Sequence, residues 1–191
     1  MPDADFFESI KAGHVSVVTD EIETFTETGV VLKSGETHDA DIVVTATGFN
    51  MNVLGDIDFT IDDEPLVLSD TVTYRGMMFT GVPNLLWVFG YFRGSWTYRA
   101  DLLADFVCRL LTHMEARGAP RVEVSLRDED KDMELLPWQD PESFNPSYLL
   151  RAMPFLPKSG AKPEWHHSQD YWEDTQVIPA IDLDGDEFIY Q

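Results

Sequence analysis

Two short apolar runs, each ended by a glycine, stand out in the hydrophobic pattern of the chain. The first lies in residues 41–50 (D-I-V-V-T-A-T-G-F-N), where four successive β-branched residues precede the glycine; the second, residues 85–89, is ended by Gly90. Runs of this length and composition predict strands that are buried on both faces. In open α/β sheets ligands sit beyond the carboxyl ends of the strands, so both glycines are candidate points of ligand approach. A core strand that ends in an ordinary turn is the alternative.

A single long amphipathic helix follows the second run. Its apolar positions recur at intervals of three and four residues, at Leu103, Val107, Leu110 and Met114. This spacing places them on one face of a helix. Ser95 or Thr97 is the expected N-cap, and Gly118 is expected to end the helix.

The other elements are short, and together they predict an α/β fold. Before the first run we expect a helix at 3–11, a strand at 14–18 and a small antiparallel meander made by 22–26 and 29–33. After it we expect a turn at Asp62-Asp63, a strand at 122–126, helical turns at 147–153 and 171–177, and a terminal hairpin at 181–190. Six prolines and several aromatic residues between 136 and 163 predict an ordered loop packed over a surface.

Composition narrows the classes of partner. The net charge is −22, with 35 acidic and 13 basic residues, which argues against binding of DNA or other nucleic acid and against an anionic membrane surface. No apolar run approaches the roughly 18 residues needed to span a bilayer. Cys108 is the one cysteine, so no internal disulfide framework is expected, and a reducing, cytoplasmic setting is favoured. Its side chain is expected to pack without a chemical role. The adjacent His166 and His167 have no acidic residue at a ligand spacing, so no metal site is expected.

Three segments together resemble the flavin-containing and Baeyer–Villiger monooxygenases, the class B flavoprotein monooxygenases. They are residues 41–50, residues 74–87 (Y-R-G-M-M-F-T-G-V-P-N-L-L-W) and residues 90–111 (G-Y-F-R-G-S-W-T-Y-R-A-D-L-L-A-D-F-V-C-R-L-L). The glycine-rich G-x-G-x-x-G motifs that bind FAD and NADP in this family are not among the 191 residues. The chain therefore resembles the carboxyl-terminal portion of a flavoprotein with two dinucleotide-binding domains. The resemblance implies that residues 1–50 are the tail of the NADP-binding domain, 51–120 the returning part of the FAD-binding domain and 121–191 a carboxyl-terminal extension.

The resemblance also implies a chemistry. Members of the family use NADPH to reduce FAD and oxygenate ketones or sulfur and nitrogen compounds, all small molecules, through a flavin C4a-peroxide. FAD and NADPH are implied for the full-length context only. The chain alone is expected to bind neither cofactor and to be inactive.

Candidate site residues follow from the same resemblance. The backbone near the cofactors is expected to include Ala46, Thr47 and Gly48, and the pyrimidine end of the flavin is expected near Gly94, Ser95, Trp96 and Thr97. The substrate and nicotinamide pocket is expected to be walled by Trp138, Phe144 and Trp165, although plain core packing is the alternative for each aromatic residue. No catalytic residue is assigned, because the family's catalytic arginine belongs to a motif that is absent here; neither Arg93 nor Arg99 takes that role.

A second hypothesis belongs to another class of function. The chain is then a self-contained acidic module that binds a protein partner and has lost the flavin half. Under the first hypothesis the apolar faces that should meet the missing half are open, and we expect self-association through them.

Overall fold

The structure, a computed structural model, describes residues 2–191 and divides into two compact units, one ending at Thr47 and one running from Gly48 to Gln191. Four α-helices and short antiparallel strands make up the described residues, so the chain is α/β in class. No helix within residues 2–191 is both long and apolar enough to cross a membrane.

The first unit contains the predicted helix and meander. Helix α1 spans Asp5–Lys11, and Gly13 follows it with φ of +72°. Strands β1, β2 and β3 pair antiparallel in sequence order and span Ile22–Phe25, Gly29–Leu32 and Thr37–Asp39. Both predictions are confirmed, because helix stops and turns between alternating segments are set by local sequence.

Two strands predicted in the first unit do not form. Residues 14–18 and 41–47 carry no strand, and Ile42 and Val44 are 82 % and 81 % exposed. A strand buried on both faces needs paired neighbours and a covering layer on each side. Leu32 is the one large apolar side chain that is buried among the described residues of this unit, so that covering layer is absent here.

The second unit contains four two-stranded antiparallel sheets and three α-helices. The pairs are β4 with β5, β6 with β7, β8 with β11 and β9 with β10. The strands span Thr60–Ile61 (β4), Glu64–Pro65 (β5), Thr73–Tyr74 (β6), Met78–Phe79 (β7), Val122–Val124 (β8), Leu135–Pro137 (β9), Lys158–Gly160 (β10) and Phe188–Tyr190 (β11), and the helices span Trp96–Arg117 (α2), Ser147–Ala152 (α3) and Tyr171–Val177 (α4). The turn at Asp62-Asp63, the strand near 122 and the helices near 147 and 171 are thereby confirmed.

Helix α2 forms as predicted. The Thr97 N–H donates to the Ser95 hydroxyl at 3.4 Å, and Gly118 closes the helix in the left-handed region at φ +65°. The buried stripe is Leu103, Phe106, Leu110 and Met114, so Phe106 replaces the predicted Val107, which is half-buried. The stripe packs with residues of β6, β7, β8 and β11 in the main core. A second group of buried residues, the aromatic cluster, consists of Phe89, Trp138, Leu149, Ala152 and Leu156.

Two predictions in the second unit are wrong. Residues 85–89 form no strand; the Trp87 N–H donates to the Met77 carbonyl at 2.8 Å, and Val88 is exposed. The terminal residues form no local hairpin either, because Phe188–Tyr190 pairs with Val122–Val124. Residues 85–89 bond to a residue ten positions earlier and residues 188–190 to a strand more than sixty positions earlier, and a local pattern reveals neither pairing.

The charge-rich loop near residue 130 contains a buried carboxylate. Asp130 ends a 3₁₀ turn, and its side chain is fully buried. It accepts hydrogen bonds from Arg127 Nε at 2.5 Å and from Trp165 Nε1 at 2.9 Å, and it pairs with Lys162. These three donors outweigh burial and hold the pKa of the Asp130 carboxyl well below its ordinary value.

Candidate functional site

The loop that leads into α2 follows Gly90, the second predicted point of ligand approach, and is largely exposed. Gly94, Ser95, Trp96 and Thr97 are all exposed, and Trp96 is 52 % exposed although its ring lies 4.8 Å from that of Phe89. A Cβ at Gly90 would overlap the Trp96 ring, so only glycine fits there. The Ser95 and Thr97 hydroxyls lie 2.7 Å apart at the start of the helix. The four consecutive residues predicted for this site therefore lie at the N-terminus of α2.

Gly48 is exposed and adopts φ of +82°, a conformation that favours glycine. The next residues are held by α3: the Phe49 ring lies 4.9 Å from that of Tyr148, and Arg151 donates to the Phe49 carbonyl and to Asn50 Oδ1, each at 2.9 Å. Ala46 and Thr47, which end the first unit, are exposed.

The three aromatic residues predicted for the pocket lie in different environments. Phe144 stacks on Phe92 at 4.1 Å and lines a cavity of about 430 Å³. Trp138 is buried in the aromatic cluster and stacks on the ring of His167, which lines the same cavity, at 4.5 Å. Trp165 is buried in the main core, where its ring lies 5.4 Å from that of Tyr74. Phe144 therefore faces this cavity, Trp138 lies behind it, and Trp165 packs in the main core.

The same cavity has polar groups on its wall. Arg93, Asp140, His166 and Gln169 line it together with the two stacked phenylalanines. Burial lowers the pKa of His166, and it lowers the pKa of fully buried His167 further, with Arg99 and His166 adding charge repulsion. Both imidazoles are therefore neutral near pH 7. Within residues 2–191 no group of three His, Cys, Asp or Glu side chains is arranged to hold a metal ion.

A buried polar network, which was not predicted from the sequence, lies beneath the loop that leads into α2. The Arg99 guanidinium is fully buried and pairs with Asp174, which also accepts from the Tyr91 hydroxyl at 2.6 Å. Arg99 donates further to the Ser168 and Arg75 carbonyls. Burial raises the pKa of Asp174, an effect that Arg99 and Tyr91 oppose.

A signal for this network was present in the sequence. Arg99 stands at the position one turn before Leu103, on the same stripe as Phe106 and Leu110. A cation on the apolar face of a helix indicates a buried partner, because an unpaired buried charge is costly. The identity of the partner, 75 residues further along the chain, is given only by the tertiary structure.

Comparison with known proteins identifies the relatives of this chain. It is 45 % identical over 93 % of its length to the FAD-containing monooxygenase EthA of Mycolicibacterium smegmatis, and 40 % identical over 97 % to that of Mycobacterium tuberculosis. The chain is homologous to part of the FAD-containing monooxygenases. A probable FAD-binding monooxygenase, AlmA of Acinetobacter baylyi, is 40 % identical over 96 % of the chain. The resemblance predicted from the sequence is thereby confirmed.

The matched region is nearly the whole of this chain but only a minor part of each relative's length. The chain spans 35 % to 37 % of the length of these three monooxygenases. Neither a family model nor a solved structure matches it.

Proposed function

We propose that this chain is the carboxyl-terminal portion of an FAD- and NADPH-dependent monooxygenase that oxygenates ketones or sulfur and nitrogen compounds. The observation that carries the proposal is the 45 % identity, over 93 % of the chain, to a protein named as an FAD-containing monooxygenase. The single cysteine agrees with a reducing, cytoplasmic setting. In this proposal the chain alone is inactive.

The start of α2 suits one edge of a flavin. A helix of 22 residues presents its positive dipole end and its first N–H groups at Ser95 and Trp96, beside the two hydroxyls. Negative charge develops on the pyrimidine end of a flavin when it is reduced, and donors of this kind stabilise it. When bound, FAD reduced by NADPH would supply the oxygen chemistry. The chain's own residues would bind one edge of the ring and orient it.

The cavity beside Phe144 suits the substrate or the nicotinamide. The Phe92–Phe144 stack gives it an apolar wall, and Arg93, Asp140 and Gln169 give it a few polar groups. Ligand sites combine these features, because apolar walls exclude water and sparse polar groups fix orientation. We assign Trp138 to the layer that supports this wall through His167.

The first unit supports the proposed division of the chain. Residues 1–50 are assigned to the tail of the NADP-binding domain, 51–120 to the FAD-binding domain and 121–191 to the extension. Large apolar side chains of residues 2–47 are left open to solvent, among them Phe7, Val17, Phe25, Ile42 and Val44. Exposure on this scale is typical of surfaces that meet another part of a protein.

A chimera tests the proposal. The matching third of the Mycolicibacterium smegmatis monooxygenase is replaced by this chain, and the purified protein is compared with the same enzyme lacking that third. We expect the chimera to hold FAD stoichiometrically, seen as a flavin absorption spectrum, and the truncated enzyme to lose it. The isolated chain should be colourless, because the glycine-rich turn that holds the pyrophosphate is not in it. A folded chimera without flavin, or a yellow isolated chain, contradicts the proposal.

The isolated chain is expected to self-associate, and more strongly at higher salt concentration. Exposed apolar faces attract other copies, whereas the net charge of −22 keeps them apart. Salt shortens the reach of that repulsion to about 10 Å at 0.1 M and leaves apolar contact unaffected. We therefore expect the sedimentation coefficient to rise with added salt. A compact monomer at every ionic strength would favour the self-contained partner-binding module.

A further inference from the structure

Two backbone segments, the second of which runs into the first residues of α2, are held by side chains from one later part of the chain. The segments are 48–50 and 90–97, and the later part is residues 138–174. We propose that residues 138–174 form a positioning element that sets both backbones, with Gln169 and Arg151 as positioning residues. This inference rests on the proposed function, which places the flavin at the start of α2, and on the expectation from the sequence that the cofactors lie near Gly48.

Gln169 holds the second segment on both sides of Tyr91. The Phe92 N–H donates to Gln169 Oε1 at 2.7 Å, and Gln169 Nε2 donates to the Gly90 carbonyl at 3.4 Å. The side-chain amide offers one acceptor and two donors, so it satisfies the loop as a neighbouring strand would. Residues 90–95 have no strand of their own, and Gln169 fixes their path in its place.

Asp174 ties the same segment to the first turn of α2. Its carboxylate accepts from the Tyr91 hydroxyl at 2.6 Å and pairs with Arg99, whose guanidinium also donates to the Ser168 carbonyl at 3.3 Å. The loop and the helix start therefore share one acceptor on α4. A shift of α4 would move both together.

Arg151 holds the first segment. Its guanidinium donates from Nε to Asn50 Oδ1 and from a terminal nitrogen to the Phe49 carbonyl, while Tyr148 on the same helix packs on the Phe49 ring. A planar guanidinium fixes two acceptors in one geometry, which a flexible ammonium does not. The backbone directly after Gly48 is thereby set by α3.

The two contacts belong to one packed body. Tyr148 and Phe92 both pack against the aromatic cluster, which holds Trp138, Leu149 and Ala152 of the later segment and Phe89 of the earlier one. Close-packed interiors transmit displacement with little loss. A functional site needs its contacts held within about 0.5 Å, and irregular backbone obtains this precision from surrounding side chains.

Amide hydrogen exchange on the 191-residue chain tests the contacts themselves. We expect Gln169→Met to speed exchange in 90–97 and leave 48–50 unchanged, and Arg151→Met to do the reverse. Gln176→Met is the matched control, because Gln176 is exposed on α4, seven residues after Gln169, and its side chain bonds to neither segment. Exchange within the interior of α2 should stay at its wild-type rate in all three, which separates positioning from loss of stability. If Gln169→Met does not fold, Gln169→Ala, which also removes both the acceptor of the Phe92 N–H and the donor to the Gly90 carbonyl, takes its place. Unchanged exchange in both segments overturns the inference.

FAD affinity of the chimera tests whether the contacts of Gln169 and Arg151 position the cofactor site. We expect Gln169→Met and Arg151→Met each to weaken FAD binding by about tenfold, the factor expected for roughly one lost hydrogen bond, and Gln176→Met to leave it unchanged. Wild-type affinity in both folded variants overturns the positioning role alone. A wild-type chimera that holds no FAD overturns the proposed function, and this inference with it.

Discussion

Replacing Arg99 by methionine is expected to lower the free energy of unfolding of the second unit by about 3 to 5 kcal/mol, the usual consequence of removing one partner from a buried ion pair. The guanidinium is fully buried, and its loss leaves the buried Asp174 with the Tyr91 hydroxyl as its remaining side-chain donor. Methionine fills similar volume and offers no donor. All five tryptophans lie in residues 48–191, so urea unfolding followed by tryptophan fluorescence reports on this unit.

Two further variants show whether the lost charge causes the loss of stability in Arg99→Met. Arg93→Met is the matched control, because Arg93 is exposed and makes only a 3.4 Å bond to the Ser143 carbonyl; we expect a change within about 0.5 kcal/mol. The double variant Arg99→Met with Asp174→Leu should lose less stability than Arg99→Met alone, since it leaves no charge buried without a partner. A double variant at least as unstable as Arg99→Met alone would point to lost packing instead.

Replacing Asp130 by asparagine is expected to lower the free energy of unfolding by about 2 to 3 kcal/mol at pH 7, because the charge-assisted hydrogen bonds from Arg127 and Lys162 are lost. Both cations are partly exposed and regain water, so this loss is smaller than that at Arg99. Asparagine keeps a carbonyl acceptor for Trp165 Nε1, which preserves the packing around the indole.

The same carboxylate predicts a specific response to acid. Its pKa in the folded chain lies well below its unfolded value of about 3.9, so its contribution is fully present above that value and is lost as pH falls towards the folded pKa. Urea midpoints measured from pH 6 to pH 2 should therefore fall less steeply in Asp130→Asn than in the wild type. Parallel curves for the two proteins would contradict the assignment. Comparing the two cancels the titration of the other carboxylates.

Several elements depend on local chemistry, and these could be predicted from the sequence. The bounds of helix α2, its Ser95 cap, its terminal Gly118 and the stripe residues Leu103, Leu110 and Met114 agree with the prediction, as do the β1–β3 meander and α4. Caps, turns and helical periodicity act between residues a few positions apart, so a single sequence contains them in full. The likeness to FAD-containing monooxygenases was also present in the sequence, because it rests on motifs.

The partners of the apolar segments and of the buried charges could not be predicted, because they are brought together only by the fold. Residues 41–47 and 85–89 have the composition of buried strands, yet neither pairs as one, since strand formation depends on neighbours and covering layers supplied from elsewhere. The pairing of β11 with β8 joins residues more than sixty positions apart. The contacts of Asp174, Gln169 and Arg151 with the proposed site span 75 to 102 positions. Such contacts leave no period or spacing in the sequence, because only the folded chain brings their partners within hydrogen-bonding distance.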